Sequence, residues 1–366
     1  MVPLLWVGNV LWAICCQSVL LVVDGLVESS SASSSSSPAP ASGLLVVGLG
    51  RVGEDCANAA LSHFPEKSVF GTIREEKFRQ QSQEDGDRMT ATTMIRRIPC
   101  TADAVRDCLP RCSHVLLTVQ PPRQEDPLNE VLHIIGERFA RGGWIGLIST
   151  TGVYGDHQGD WVNEDSELRC SDDSNAGRYV AYENDWIRRA EEKGYRLRIF
   201  RCGGIYDNSR SALHTIYKKG YSYQELSDKR EDEPSRPSTL ENDVTNRIHS
   251  MDIARAVLAS MFQESPESHR VYNLADDLPE SRRVVMDYAY HLFQSADIQT
   301  PVFQKSPNSN SSKSIRSRRR KVERKLVSNK RMREELLEQD GLLYPTYREG
   351  LNDILRVWTA SREKNN

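Results

Sequence analysis

From Gly43 onward the chain alternates short apolar runs with longer stretches of helical spacing. GLLVV (Gly43 to Val47) is a continuous apolar run that leads into glycines, the form expected of a parallel strand buried on both faces. EDCANAALSHF (54–64) follows with helical spacing, and SVFGTIR (68–74) reads as a second strand. HVLLTV (His114 to Val119) and WIGLIST (Trp144 to Thr150) are further apolar runs, with a helix expected from about Leu128 to Ala140 between them. A helix from about Tyr179 to Lys193 precedes another run, LRIFRCGGI (Leu197 to Ile205). Strands alternating with helices of about 10 to 15 residues predict βαβ units. The expected fold is α/β, a doubly wound parallel sheet with a small C-terminal region, and the chain shows no internal repeat.

Ahead of this pattern lies a different kind of sequence. PLLWVGNVLWAICCQSVLLVV, residues 3–23, is almost wholly apolar, and no Lys or Arg precedes Arg51. That length suits a signal-peptide core or a signal anchor, since about 20 apolar residues span a bilayer. A Ser/Ala/Pro tract follows that cannot bury a core and reads as a linker or the Ser-rich part of a transit sequence. The expected address is the secretory pathway or a plastid, with residues 3–23 as a membrane tether if the leader stays attached.

Composition narrows the field. The 366 residues are 38% apolar and 27% charged, as in a globular domain rather than a disordered chain. Lys+Arg 48 against Asp+Glu 51 gives a formal net charge of -3, which argues against a dedicated nucleic-acid binder. Eight cysteines are too few for a disulfide scaffold, and no paired CxxC units predict a metal site. Two polar stretches break the pattern: 225–243, acidic and Pro-containing, and 313–333, with eleven basic residues and one acid. The second reads as a solvated loop before a helix, with a nucleic-acid patch as the alternative.

Chemistry enters at Gly48-Leu49-Gly50-Arg51-Val52-Gly53, a GxGxxG between a strand and a helix. The first glycine permits a tight turn, the second lets backbone approach a pyrophosphate, and the third lets helix and strand pack closely. The helix N-terminus then offers free N–H groups to phosphates. Where an NAD site carries an acidic residue at the tip of the second strand, this chain has Gly71-Thr72-Ile73 and then Arg74. An arginine there pairs with a 2′-phosphate, so NADP is the expected cofactor, with NAD the alternative through Glu75 or Glu76. The organisation is then a leader (1–24), a linker (25–42), a dinucleotide-binding domain (43–303) with the insertion 225–243, a basic insertion (304–325) and a C-terminal helical part (326–358).

VVGLGRVG, GTIR, LLTVQPP, ISTTGVYGD, RCGGIY, RIHSMDIARAV, VYNLADD and KLVSNKRMREELL…YPTYREGL occur in this order. Together they resemble the short-chain dehydrogenase/reductase superfamily in its extended epimerase/dehydratase branch, over roughly Gly43 to Leu355. The resemblance implies a Rossmann fold in which Val119, Gln120 and Ser149 also line the cofactor. It implies Thr150 as the hydroxyl that orients a small-molecule substrate, and a Tyr-x-x-x-Lys on the next helix as its proton-transfer pair. That helix reads SNAGRYVAYENDWIRRAEE, with Tyr179 and Tyr182 but no Lys four residues after either. If Glu183 matches the glutamate that follows the family's Lys, Asn175 stands at the Tyr position and Tyr179 at the Lys position, with Arg178 the nearby cation. Thr150 and Tyr179 are the catalytic candidates, and helix packing is the alternative for Tyr179 and Tyr182. Tyr206 and Arg210, after the sixth strand, are candidates for holding substrate. Asp252 reads as a helix cap, and Cys108 and Cys112 as packing residues. Two functions follow: an oxidoreductase or epimerase with an altered proton-transfer site, or a non-catalytic dinucleotide-sensing or assembly protein. No motif specifies an oligomeric state.

Overall fold

The computed structural model describes residues 42–66, 68–84, 95–219, 244–299 and 324–363. The leader, the Ser-rich linker, the acidic insertion and residues 304–323 of the basic segment lie outside the described residues. The strands in chain order are β1 (Gly43–Val47), β2 (Val69–Ile73), β3 (Ile95–Pro99), β4 (Cys112–Leu117), β5 (Trp144–Thr150), β6 (Trp161–Val162), β7 (Arg196–Cys202), β8 (Gly204–Tyr206), β9 (Val244–Thr245), β10 (Arg247–His249), β11 (His269–Leu274), β12 (Glu280–Ser281) and β13 (Leu326–Val327). Seven of them form one sheet in the order β11-β7-β5-β4-β1-β2-β3, and every neighbouring pair is parallel. The order reverses between β1 and β4, so the crevice at their carboxyl ends is where such sheets take ligands.

Both sheet faces are covered. On one, α1 (Arg51–Ala60) and the helix Ser250–Phe262 pack with Leu44, Val46, Trp144 and Phe200. In chain order α2 (Glu75–Glu84) and α3 (Ala102–Cys108) come next, and on the other face α4 (Leu128–Arg138) and α5 (Asn175–Lys193) cover Leu45, Val115, Ile145 and Ile199. Coverage on two faces explains why β1 has no polar alternation: all five of its residues are buried. Beyond the end of β7 a smaller region begins. There β8 pairs with β10, β9 with β12 and β6 with β13, and the helices Ala212–Lys219, Arg282–Ser295 and Tyr347–Glu363 enclose Leu213, Phe293, Tyr347 and Ile354.

Several expectations change in detail. IRRIP is a strand, β3, although its two arginines hide the apolar pattern; it lies at the sheet edge, where one side needs no partner. Helix α5 begins at Asn175, earlier than Tyr179, because the Ser174 side chain caps it by accepting from the Gly177 N–H at 3.0 Å. Asp252 is not the cap of its helix. The Nδ1 of His249 accepts the Met251 N–H at 3.2 Å and fills that role. The Asp252 carboxylate instead accepts the N–H groups of Leu343 and Tyr344 at 2.7 and 3.0 Å, tying the C-terminal segment to the helix Ser250–Phe262. The basic segment ends inside the fold, where Lys325 is buried and donates to the Gly155 carbonyl at 2.9 Å. Cys108 and Cys112 are free and buried, as packing residues should be.

Candidate functional site

The GxGxxG turn sits at the carboxyl end of β1. Gly48 has φ +98, a left-handed conformation that L side chains rarely adopt, and its N–H donates to Thr72 Oγ1 at 2.9 Å. A Cβ on Gly48 would stand 2.8 Å from Val119 Cγ1, and one on Gly53 only 2.2 Å from the Gly48 carbonyl oxygen. These two glycines are therefore required by packing alone. Gly50 differs: nothing lies within 4 Å of the position its Cβ would take. It is also the N-cap of α1, with no side-chain cap hydrogen bond. An open backbone at an uncapped helix start suits an anion, so the turn fits a pyrophosphate by observation as well as by motif.

The other expected cofactor residues surround this turn to different degrees. Leu49 is buried over Gly71 at the β2 tip, where a Cβ on Gly71 would overlap its side chain. Val52 is half-buried beside it. Arg74 stands just past β2, exposed, and its side chain makes no hydrogen bond or ion pair among the described residues. Glu75, by contrast, is paired with Arg79 at 2.6 Å. Val119 is half-buried against Gly48 and Gln120 is exposed. Arg51 leaves the turn to meet Asp207, with N–O distances of 3.2 and 3.3 Å.

Asp207 belongs to the loop after β8 and was not read as a site residue in the sequence. Its Oδ1 accepts the Ser209 and Arg210 N–H groups at 2.6 and 2.9 Å, as well as the Ser209 hydroxyl. Burial would raise its pKa, but the Ser209 hydrogen bonds and the Arg51 charge outweigh burial and hold it below the ordinary carboxylate range. The DNS triplet was the available signal, since Asp followed by Asn and Ser favours this kind of turn. Arg210 itself is exposed, with no side-chain partner among the described residues. Tyr206 is a correction to the expected substrate site. It is buried with its ring edge-on to His249 and its hydroxyl against Gly350, inside the core of the smaller region.

At the end of β5, Thr150 and Ser149 point to opposite faces, as successive strand residues must. Thr150 is half-buried, and its Oγ1 accepts the Gly152 N–H at 3.1 Å, leaving the hydroxyl proton free to donate. Thr150 is the register partner of Cys202, and Tyr179 packs against the cluster that holds Val153 and Tyr154, just after β5. Burial, with Cys202 adding to it and Arg178 opposing, raises the Tyr179 pKa above the ordinary phenol value. A proton-transfer tyrosine needs the opposite shift. Arg178 does not supply it, because its guanidinium donates to the Pro121 carbonyl and reaches Asn175 at 3.4 Å. Tyr182 is buried against Trp186 with rings at 87°.

Ser149 faces α5, where its hydroxyl donates to Glu183. Glu183 and Arg201 form a buried ion pair, with Arg201 Nη2 to Glu183 Oε2 at 2.7 Å and side chains only 2% and 7% exposed. Arg201 also donates to the Tyr154 hydroxyl at 3.1 Å, which donates to Asn273 at 2.6 Å. This network lies behind the strand ends and fixes β5, β7 and α5 to one another. Ser149 is thus committed to the core rather than to the crevice.

No protein-family model matches the chain, and no curated protein matches it. Solved structures do. A conserved protein of unknown function from Silicibacter pomeroyi is 25% identical, with TM-score 0.59, over 86% of this chain and 98% of that one. A dTDP-glucose 4,6-dehydratase from Bacillus anthracis in complex with NAD is 12% identical, with TM-score 0.59, over 88% and 98%. A UDP-glucuronic acid 4-epimerase from Bacillus cereus in complex with NAD is 14% identical, with TM-score 0.56, over 84% and 94%. The chain therefore shares the Rossmann-like α/β fold of these solved structures.

Proposed function

We propose that this protein binds a nicotinamide dinucleotide along the Gly48–Gly53 turn and uses it on a small-molecule substrate, as an oxidoreductase or epimerase of the epimerase/dehydratase type. The open backbone at Gly50 on an uncapped helix start is the observation that carries this reading. Gly50, Arg51 and Val52 would hold the pyrophosphate, with Leu49 and Gly53 shaping the turn and Val119 and Gln120 bordering it. Arg74, exposed and unpaired among the described residues, favours NADP over NAD. When bound, the cofactor supplies a hydride acceptor or donor. Thr150 would then orient a carbonyl or alcohol by donating its hydroxyl proton. Tyr179, neutral under its raised pKa, would act as a hydrogen-bond donor rather than a base.

A second reading, a dinucleotide sensor without chemistry, is favoured by one observation: Arg178, the cation nearest Tyr179 on α5, is committed to Pro121. Titrating the full chain with NADPH and NADH, followed by calorimetry and nicotinamide fluorescence, tests the cofactor. Tighter binding of NADPH supports Arg74, and binding of neither refutes both readings. Thr150→Ala and Tyr179→Phe separate them. Loss of substrate turnover with cofactor affinity intact supports catalysis, and unchanged biological activity in both variants supports the sensor.

A further inference from the structure

Arg51 is the first residue of α1, one position past the open backbone at Gly50. Among the described residues its guanidinium bonds to Asp207 alone, 156 residues away in the chain. Both contacts come from Nη1, at 3.2 and 3.3 Å, whereas a well-formed charge-assisted pair closes to about 2.7–2.9 Å. The Nε and Nη2 groups form the edge that grips an oxyanion with two parallel hydrogen bonds. That edge holds nothing among the described residues. The Arg51 side chain is 49% exposed, so no packing keeps it from changing partners.

Asp207 is held quite differently. Its side chain is only 11% exposed, and Oδ1 accepts the Ser209 N–H, the Ser209 hydroxyl and the Arg210 N–H at 2.6, 2.6 and 2.9 Å. Backbone closes the same turn: the Asp207 N–H donates to the Arg210 carbonyl at 3.0 Å, and the Arg210 N–H to the Asp207 carbonyl at 3.2 Å. Tyr206 before it and Ser211 after it are buried, which anchors the turn at both ends. None of these bonds involves Arg51, and all of them remain when it leaves. A loosely paired, exposed cation on the cofactor turn therefore meets a fixed carboxylate of the substrate-side loop.

A pyrophosphate on the Gly50 to Val52 N–H groups would bring two negative charges to the residue whose guanidinium now faces one. It would offer its oxygens to the free Nε/Nη2 edge. Asp207 would keep its three hydrogen bonds from Ser209 and Arg210, which stabilise the carboxylate without Arg51. Resting on the dinucleotide reading above, we infer that Arg51 is a latch: it holds Asp207 in the free protein and turns to the pyrophosphate when the cofactor binds. Asp207 is then a positioning residue, a built-in competitor for the cofactor's cation that weakens dinucleotide binding and speeds its release. The coupling is reciprocal, so a bound dinucleotide detaches α1 from the turn that carries Arg210. A cofactor that leaves readily suits net oxidation or reduction, in which spent cofactor is exchanged after each turnover. An epimerisation that regenerates the cofactor in place has no such need.

Calorimetry and stopped-flow nicotinamide fluorescence of the full chain with NADPH test the latch through a double-mutant cycle. Asp207→Asn keeps an Oδ1 acceptor for the turn and loses the charge. It should bind NADPH about tenfold more tightly, mostly through slower dissociation. Arg51→Met should bind about tenfold less tightly, and adding Asp207→Asn to it should change the Kd by less than about twofold. A second measurement leaves Asp207 untouched and decides the matter if Asp207→Asn does not fold. The Arg51 Nε–H signal in the proton–nitrogen NMR spectrum, assigned by its loss in Arg51→Met, should move on saturation with NADPH. Wild-type or weaker affinity in Asp207→Asn, a gain that persists in the Arg51→Met background, or an unmoved Nε–H signal overturns the latch and leaves the cofactor reading in place. Binding of neither NADPH nor NADH to the wild type overturns that reading, and the latch with it.

Discussion

Gly50 and Gly53 share a motif, but the structure gives them different duties, and alanine at each position separates the two. At Gly53 a Cβ would stand 2.2 Å from the Gly48 carbonyl oxygen and 3.2 Å from the Gly48 carbonyl carbon. Backbone cannot rotate away as a side chain can, so α1 must move off β1. Overpacking of this kind costs about 1–3 kcal/mol, and Gly53→Ala should lower the urea midpoint by an amount in that range. At Gly50 the Cβ meets nothing within 4 Å and φ is -85, which alanine adopts freely. The loss of a favourable N-cap residue and the reduced entropy of the unfolded chain nearly cancel, leaving stability within about 0.5 kcal/mol of wild type. The same methyl occupies the space a pyrophosphate needs and should weaken dinucleotide binding tenfold or more, or about 1.4 kcal/mol. Urea unfolding and calorimetric titration with NADPH on the same two variants provide the assay. If Gly50→Ala binds NADPH as wild type does, the turn is not the phosphate cradle. If Gly53→Ala unfolds at the wild-type midpoint, the close approach of α1 to β1 is not what requires glycine.

Three further outcomes are expected. Arg74→Ser should weaken NADPH binding by about 1.5–3 kcal/mol through loss of a charge-assisted pair, with NADH unaffected; equal losses for both cofactors would remove Arg74 from the 2′-phosphate site. Glu183→Gln strands the buried Arg201 guanidinium and should cost about 3–5 kcal/mol in denaturant unfolding, whereas a loss under 1 kcal/mol would mean that the pair contributes little. Asp276 has its carboxyl pushed up to about 8 from 3.8, chiefly by burial, with the Arg247 charge opposing. The native state therefore holds a proton that the unfolded state releases at lower pH. The stability tied to this proton is complete below about pH 4 and falls as pH rises toward about 8, at up to about 1.4 kcal/mol per pH unit. Asp276→Asn should flatten that slope in unfolding measured across pH 4 to 8, and an unchanged slope would show that the carboxyl is ionised in the fold.

How much was legible depended on whether the cause of a feature was local. β1, β2, β4 and β5 showed themselves because a strand covered on both faces is largely apolar, and β7 did so through Leu197, Ile199 and Phe200 in spite of its three arginines. β3 did not, because an edge strand tolerates the arginines of IRRIP. The GxGxxG turn was readable because each glycine answers a backbone demand within a few residues. The missing Lys after Tyr179 and Tyr182 was equally plain. Tyr206 was misread because its position after β8 pointed to the substrate region, while the contact that buries it comes from Gly350, 144 residues later.

The parallel sheet, the glycine turn after β1 and the lack of a lysine four residues after Tyr179 or Tyr182 are written into the sequence, since hydrophobic periodicity, glycine placement and spacing within one helix act over a turn or a strand. Which side chains remain free to act is settled by contacts made across the fold. Ser149 is claimed by Glu183, Arg51 by Asp207 and Arg178 by Pro121, each across strands or loops distant in the chain. Charge and hydrogen-bond partners are settled by whichever groups folding brings within about 3 Å, and no local pattern of residues encodes that.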